Sequence, residues 1–205
     1  MRTAIAYVDG HNFYHGAVKH EPALKWLDFV GMCQALLPKH RLRIVRYYTA
    51  RVIDRPNDPH QSQRQDVYLR ALAARGQIEI VEGQFAVRRK RVRTTNDSWV
   101  TADVVEEKGS DVNLGADLVW DACHGEMTCA LVISNDFDLQ RPINRALEAG
   151  VEVLVVNPHR SKNQRAAVRG AGTRNLRRHH LRDHQLPSPV IDAHGRAIHR
   201  PPAWS

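Results

Sequence analysis

The stretch Thr3-Ala4-Ile5-Ala6-Tyr7-Val8 is almost continuously apolar, about one strand long, and stops at Asp9. A short apolar run without alternation reads as a strand covered on both faces, as in a parallel sheet. Residues 130–133 and 151–156 repeat the pattern, and residues 43–52 and 77–82 supply two further strands. Between them lie helix-like stretches at 27–37, 61–74, 112–123 and 138–149; glycine follows the last three, at Gly76, Gly125 and Gly150. Glycine at or just past the last turn is the usual helix stop. Strand and helix alternate over about three quarters of the chain, which predicts an α/β fold with a doubly wound, mostly parallel sheet and helices on both faces.

The chain has 205 residues, 42% of them hydrophobic and 25% charged, which suits one such domain with a tail. No apolar run approaches the roughly 18 residues of a membrane helix, and the first strand is too short for a signal-peptide core. Three cysteines, Cys33, Cys123 and Cys129, form no CxxC pair, which argues against a disulfide framework or a cysteine-built zinc site. The expectation is a cytoplasmic protein with no membrane partner.

Charge is distributed unevenly. Thirty Lys and Arg face 22 Asp and Glu, a net charge of +8, and residues 157–205 hold ten basic and two acidic residues while the rest is balanced. Arg165, Arg169, Arg174, Arg177, Arg178 and Arg182 suit a polyanionic partner, because each phosphate contact releases counterions; a plain solvated tail is the alternative. A second basic segment breaks the alternation of the core. Residues 85–93 (FAVRRKRVR) and 99–104 (WVTADV) flank 94–98, a pattern that predicts an inserted β-hairpin over about 85–104. Arg88, Arg89, Lys90, Arg91 and Arg93 occupy both faces of its first strand, so the ribbon is expected to project into solvent. There it serves either as a charged edge that resists aggregation or as an arm that grips phosphates, with Trp99 stacking on a base. Beyond Pro158 the periodicity fades, and Leu186-Pro187-Ser188-Pro189 and Pro201-Pro202 mark an irregular basic extension over 158–205, outside a domain spanning 1–157.

Ligands of open α/β sheets bind beyond the carboxyl ends of the strands, where strand order reverses. Two of the strands end in acids. Asp9 closes the first, with Asn12 three residues on, and Ser134-Asn135-Asp136-Phe137-Asp138 follows residues 130–133. A third acid comes from Lys108-Gly109-Ser110-Asp111, with Ser110 read as a helix cap and Asp111 in the first turn. Singly, each is explained by a turn or a helix dipole. Together, acids ending adjacent strands would repel one another unless a cation neutralised them, and Mg²⁺ or Mn²⁺ with its preference for oxygen ligands is the natural filler. Such an ion polarises phosphodiesters and activates water.

Rival chemistries lack their residues. No GxGxxG or GxxxxGK[ST] follows the first strand, no GxSxG elbow is present, and His11 stands where an aspartyl phosphatase needs its second acid. His11 and His15 lack the Glu of HExxH, and His179, His180 and His184 suit a solvated or nucleic-acid-facing role better than a metal site.

Three blocks, Tyr7-Val8-Asp9-Gly10-His11-Asn12-Phe13, Glu107-Lys108-Gly109-Ser110-Asp111-Val112-Asn113-Leu114 with Ala116-Asp117, and Leu131-Val132-Ile133-Ser134-Asn135-Asp136-Phe137-Asp138-Leu139, resemble the bacterial NYN domain of the PIN-like nuclease superfamily. The resemblance implies a Rossmann-like three-layer αβα sandwich and an acidic, Mg²⁺- or Mn²⁺-dependent site cutting RNA. It carries metal-site roles onto Asp9, Asp111, Asp136 and Asp138, with Asn12 as a polar supporter. Asn135 stands where the usual pattern has Gly, and Leu139 where it has Phe. Asp117 matches a frequent acidic position, yet lies about 240° around the helix from Asp111, too far for both to face one ion.

The sequence thus supports a metal-dependent endoribonuclease in which Lys108 and Arg51 neutralise phosphate, and in which Arg88, Arg89, Lys90, Arg91, Trp99, Arg177 and Arg178 contact RNA. The alternative is an RNA-binding or adaptor protein that keeps the fold and turns over little substrate; a phosphatase of small substrates ranks third. The identity of the RNA and the presence of a homodimer are open on the sequence.

Overall fold

β1 (Arg2–Asp9) lies in the middle of a six-stranded sheet, which is why its side chains are apolar without alternation. Ala4, Ala6 and Val8 pack into one core layer and Ile5 and Tyr7 into the other, all at most 2% exposed. The computed structural model describes residues 2–95, 97–159 and 168–205, with the backbone alone at 85–88 and 102–107. Of the residues singled out above, Asn96, Arg165 and the side chains of Arg88 and Glu107 lie outside the described residues.

Around β1 stand β2 (His40–Thr49), β3 (Ile78–Glu82), β6 (Cys129–Ile133), β7 (Glu152–Asn157) and β8 (Gly172–Asn175), in the order β3-β2-β1-β6-β7-β8. Every neighbouring pair runs parallel. One face is covered by α2 (Phe29–Leu36), α3 (Gln61–Arg75) and α6 (Arg178–Arg182), the other by α4 (Ser110–Cys123) and α5 (Gln140–Glu148). This is the three-layer α/β architecture that the alternation of strand and helix predicts. Order reverses between β1 and β6, so the carboxyl ends of these two strands flank the crevice of the sheet.

β4 (Gln84–Arg93) and β5 (Trp99–Lys108) form the expected hairpin as a separate antiparallel ribbon, in register from Gln84 opposite Lys108 to Arg93 opposite Trp99. Arg89, Lys90 and Arg91 are exposed along it.

The stretch after Pro158 requires a correction, because its described part is built into the domain. β8 is the sixth strand of the sheet. Leu181, Leu186, Val190 and Ile198 are buried in the core layer that holds α2 and α3, the last two on the short strands β9 (Val190–Ile191) and β10 (Ala197–Ile198). Leu186 N donates to Trp26 O at 2.9 Å and Asp28 N to His184 O at 2.8 Å, while the Trp204 ring meets Trp26 and Tyr68. Proline and isolated apolar anchors leave no periodicity to read, yet the anchors are buried in the same core layer as α2 and α3. A solvated basic tail is thereby replaced by a strap.

Candidate active site

α1 (Gly10–Phe13) starts directly at the end of β1, and Asp9 caps it by accepting from Asn12 N at 2.9 Å. Gly10 is required there, since a Cβ would stand 2.6 Å from Tyr48 O and 2.8 Å from the Tyr47 ring. The helix then widens into a π turn over Tyr14–Val18.

On the neighbouring strand β6, Ser134 follows immediately and is buried. Its hydroxyl donates to Asp9 Oδ2 at 2.9 Å and accepts from Asp136 N at 3.1 Å. Asn12 Oδ1 accepts from Asn135 N at 3.0 Å, and Asp136 Oδ1 accepts from Asp138 N at 2.9 Å, capping the 3-10 turn Phe137–Leu139 that leads into α5. Asp9, only 9% exposed, thus fixes the loop after β6 through Ser134 and Asn12. Positive φ among described residues other than glycine is confined to Gln77 and Asp97, so Asn135 carries no left-handed strain in the place of the usual glycine.

Asp111 arrives on α4, which packs beside α5 on the same face of the sheet. Its helix α4 opens one residue earlier than the sequence suggests: Gly109, at φ 92°, is the cap, and Ser110 is its buried first residue. Gly83 permits this approach, because a Cβ there would meet Ser110 Oγ at 2.7 Å. Asp111, Asp136 and Asp138 each offer a carboxylate oxygen, and the three oxygens lie within 4.8 Å of one another. No Lys or Arg nitrogen of another described residue pairs with any of the three within 4.0 Å. Mg²⁺ holds oxygen ligands at about 2.1 Å, so neighbouring ligands stand about 3 Å apart and opposite ones about 4 Å. The exposed Asp111 and Asp138 would have to close on Asp136 to reach that spacing, and an all-carboxylate donor set suits such a hard cation.

Asp117 points elsewhere. It accepts from Tyr48 OH at 2.9 Å and lies 3.6 Å from Arg46, which also pairs with Asp121 at 3.1 Å. Tyr7 OH donates to Asp121 at 2.6 Å; burial, then this bond, pushes the Tyr7 phenol far up. Sequence reasoning gave no role to Ser134, Arg46 or Tyr48, because a serine at a strand end and an arginine inside a strand carry no spacing signal.

The residues assigned to RNA are spread over the molecule. Arg51 is held between Glu82 at 2.7 Å and Asp66 at 3.0 Å, and Arg178 pairs with Glu21 at 2.6 Å. Arg177 caps α6. Arg91 covers the face of Trp99, which is 58% exposed, at 5.8 Å. Lys108 is exposed at the foot of the hairpin, three residues before Asp111.

At the opposite end of the sheet, His40 Nε2 lies 3.2 Å and Arg2 3.3 Å from Glu152 Oε2, beside the buried Cys129. Burial, and then Glu152, push the Cys129 thiol up to about 12.

Carboxylates gathered at the reversal point of a parallel sheet, on a three-layer α/β frame, place the chain in the PIN-like class of nuclease-type domains. The chain belongs to the NYN domain family, whose model matches residues 2–171. It is also similar to the 6-hydroxy-3-succinoylpyridine 3-monooxygenase HspA of Pseudomonas putida (strain DSM 28022 / S16), at 28% identity over a 239-residue alignment covering 100% of this chain and 75% of that protein. No helix among the described residues is long and apolar enough to cross a membrane.

Proposed function

We propose that the protein is a Mg²⁺- or Mn²⁺-dependent endoribonuclease. The observation that carries this reading is the convergence of Asp111, Asp136 and Asp138 with no cationic side chain of another described residue among them. These three acids would hold the ion, which when bound neutralises phosphate charge and polarises the phosphodiester. Asp9, with both oxygens accepting hydrogen bonds, aims the site through Ser134 and Asn12. Asp138 also orients the attacking water: a water oxygen bonds to phosphorus, the bond from phosphorus to one ribose oxygen breaks, and that oxygen leaves with a proton. Lys108 and the basic hairpin draw the polyanion toward the crevice.

The test is cleavage of labelled single-stranded RNA with Mg²⁺ or Mn²⁺. Wild type cleaves and Asp136→Asn loses at least about 100-fold while still binding. Binding without cleavage by wild type would instead support an RNA-binding adaptor. A second reading, an enzyme acting on a substituted pyridine, draws on the similarity to the 6-hydroxy-3-succinoylpyridine 3-monooxygenase and is favoured by the aromatic cavity beside α1. Under that reading RNA stays intact.

A further inference from the structure

A cavity of about 300 Å³ lies between α1, the carboxyl end of β2 and α3, on the ligand-binding side of the sheet but apart from the three clustered acids. Its walls are aromatic. Phe29 and Tyr47 face each other at 4.9 Å between ring centres, Tyr68 and Trp204 at 5.7 Å, and Tyr14 closes one side. The size, and a lining that is part aromatic and part polar, are those of a small-molecule site.

The polar part of the lining is strongly cationic: Lys19, Lys25, Arg55 and Arg64 stand against one carboxylate, Asp58. Arg64 already grips Asp58. The Lys25 ammonium instead rests 5.3 Å over the Tyr14 ring, and burial, then Arg64, lower its pKa. A partly buried ammonium facing rings, whose nearby carboxylate is engaged by another cation, is stabilised by an incoming anion.

We propose that this cavity binds a planar aromatic ring carrying an anionic group, the ring stacking among Tyr47, Tyr68 and Trp204 and the anion meeting Lys25. Stacking and the cation act together only on a ligand that carries both parts, so a neutral ring or a bare phosphate binds more weakly. The same chemistry is presented by a nucleotide of RNA and by a free aromatic carboxylate. The inference does not rest on the acidic cluster.

Calorimetric titration of the full chain with uridine monophosphate, uridine, pyridine-3-carboxylate and pyridine-3-carboxamide tests it. At least one anionic ring is expected to bind about tenfold more tightly than its neutral counterpart, and Lys25→Gln to remove that preference. Binding of the nucleotide alone identifies the source as nucleic acid, and of the carboxylate alone as a free acid; binding of both supports the shared chemistry. Asp136→Asn is expected to bind as wild type, which separates failure here from failure of the nuclease reading. Equal binding of charged and neutral partners, no binding at millimolar concentration, or an anion preference surviving in Lys25→Gln would overturn the proposal.

Discussion

Helix α4 serves two acidic clusters that obey opposite rules. Around Asp117 and Asp121 the chain supplies its own neutralisation: Arg46 reaches both acids, and Tyr48 and Tyr7 donate to them. Burial works against the Arg46 charge, and Asp121, Tyr48 and Glu79 more than offset it. At the first turn of the same helix, Asp111 meets Asp136 and Asp138 with no such cation among the described residues. Acids with a built-in partner hold the sheet to its helix; acids gathered without one leave room for a cation from solution. Residue type alone does not distinguish the two clusters, whereas the placement of one arginine does.

The largest effect is expected where the partner is built in. Asp121→Ala takes from Arg46 its buried partner, leaving it Glu79 and Asp117, and leaves the buried Tyr7 hydroxyl only the weak acceptor Met127 Sδ; breaking such a pair costs about 3 kcal/mol. Urea unfolding measures it. A loss below about 1 kcal/mol would mean that Arg46 finds Glu79 and water sufficient, and the contrast between the clusters would disappear.

Much of this frame is legible in the sequence, for identifiable reasons. The apolar runs of β1, β6 and β7 announce strands covered on both faces, and the acids directly after β1 and β6 mark the crevice. The far end of the chain is not legible. β8 has four exposed residues and pairs only through its backbone, and Leu181, Leu186 and Trp204 are single anchors among prolines. Nor does spacing show that Ser134 ties Asp9 to the Asp136 backbone, because that link crosses between strands 125 residues apart. That Asp117 and Asp111 face different ways was legible, since six residues of helix turn one from the other; that Asp117 meets Tyr48 and Arg46 was not.

The next effect belongs to the open cluster. With Mn²⁺ at a hundredfold excess over its dissociation constant, wild type is expected to gain about 2.7 kcal/mol of stability. Asp111→Asn is expected to gain less than half of that, while without metal its stability stays within about 1 kcal/mol of wild type, because relief of repulsion offsets the lost helix-dipole interaction. Thermal melts with and without Mn²⁺ decide it. A large metal-free loss in Asp111→Asn would make this acid structural, like Asp121.

RNA binding supplies a smaller readout. Exchanging Arg89, Lys90 and Arg91 for Gln is expected to lower the slope of log K against log salt by about one for each phosphate contact removed. The hairpin is a separate ribbon, so the variant should melt as wild type does. Deleting residues 160–205 is a poorer test of the basic C-terminal segment, because it also removes β8 and the anchors of the core. An unchanged slope in the hairpin variant would move the polyanion-binding face away from β4.

The smallest effect comes from a third kind of acid, one paired in full contact with water. Glu126 accepts a hydrogen bond from Arg43 at the surface, and that bond, with the charge of Arg43, holds the Glu126 carboxyl below its usual range. A carboxylate with a folded-state pKa below the unfolded value of 4.5 contributes its stability above pH 4.5 and loses it as pH falls through the folded value. Because water screens the pair, Glu126→Gln is expected to lower stability at neutral pH only slightly. Below the folded pKa, wild type and variant should converge, since a protonated Glu126 and a glutamine are both neutral. Urea midpoints taken from neutral to acid pH test this: a difference that widens on acidification would mean that Arg43 prefers the neutral side chain. The surface pair would then not belong at the weak end of the same scale on which Arg46 and Asp121 stand at the strong end.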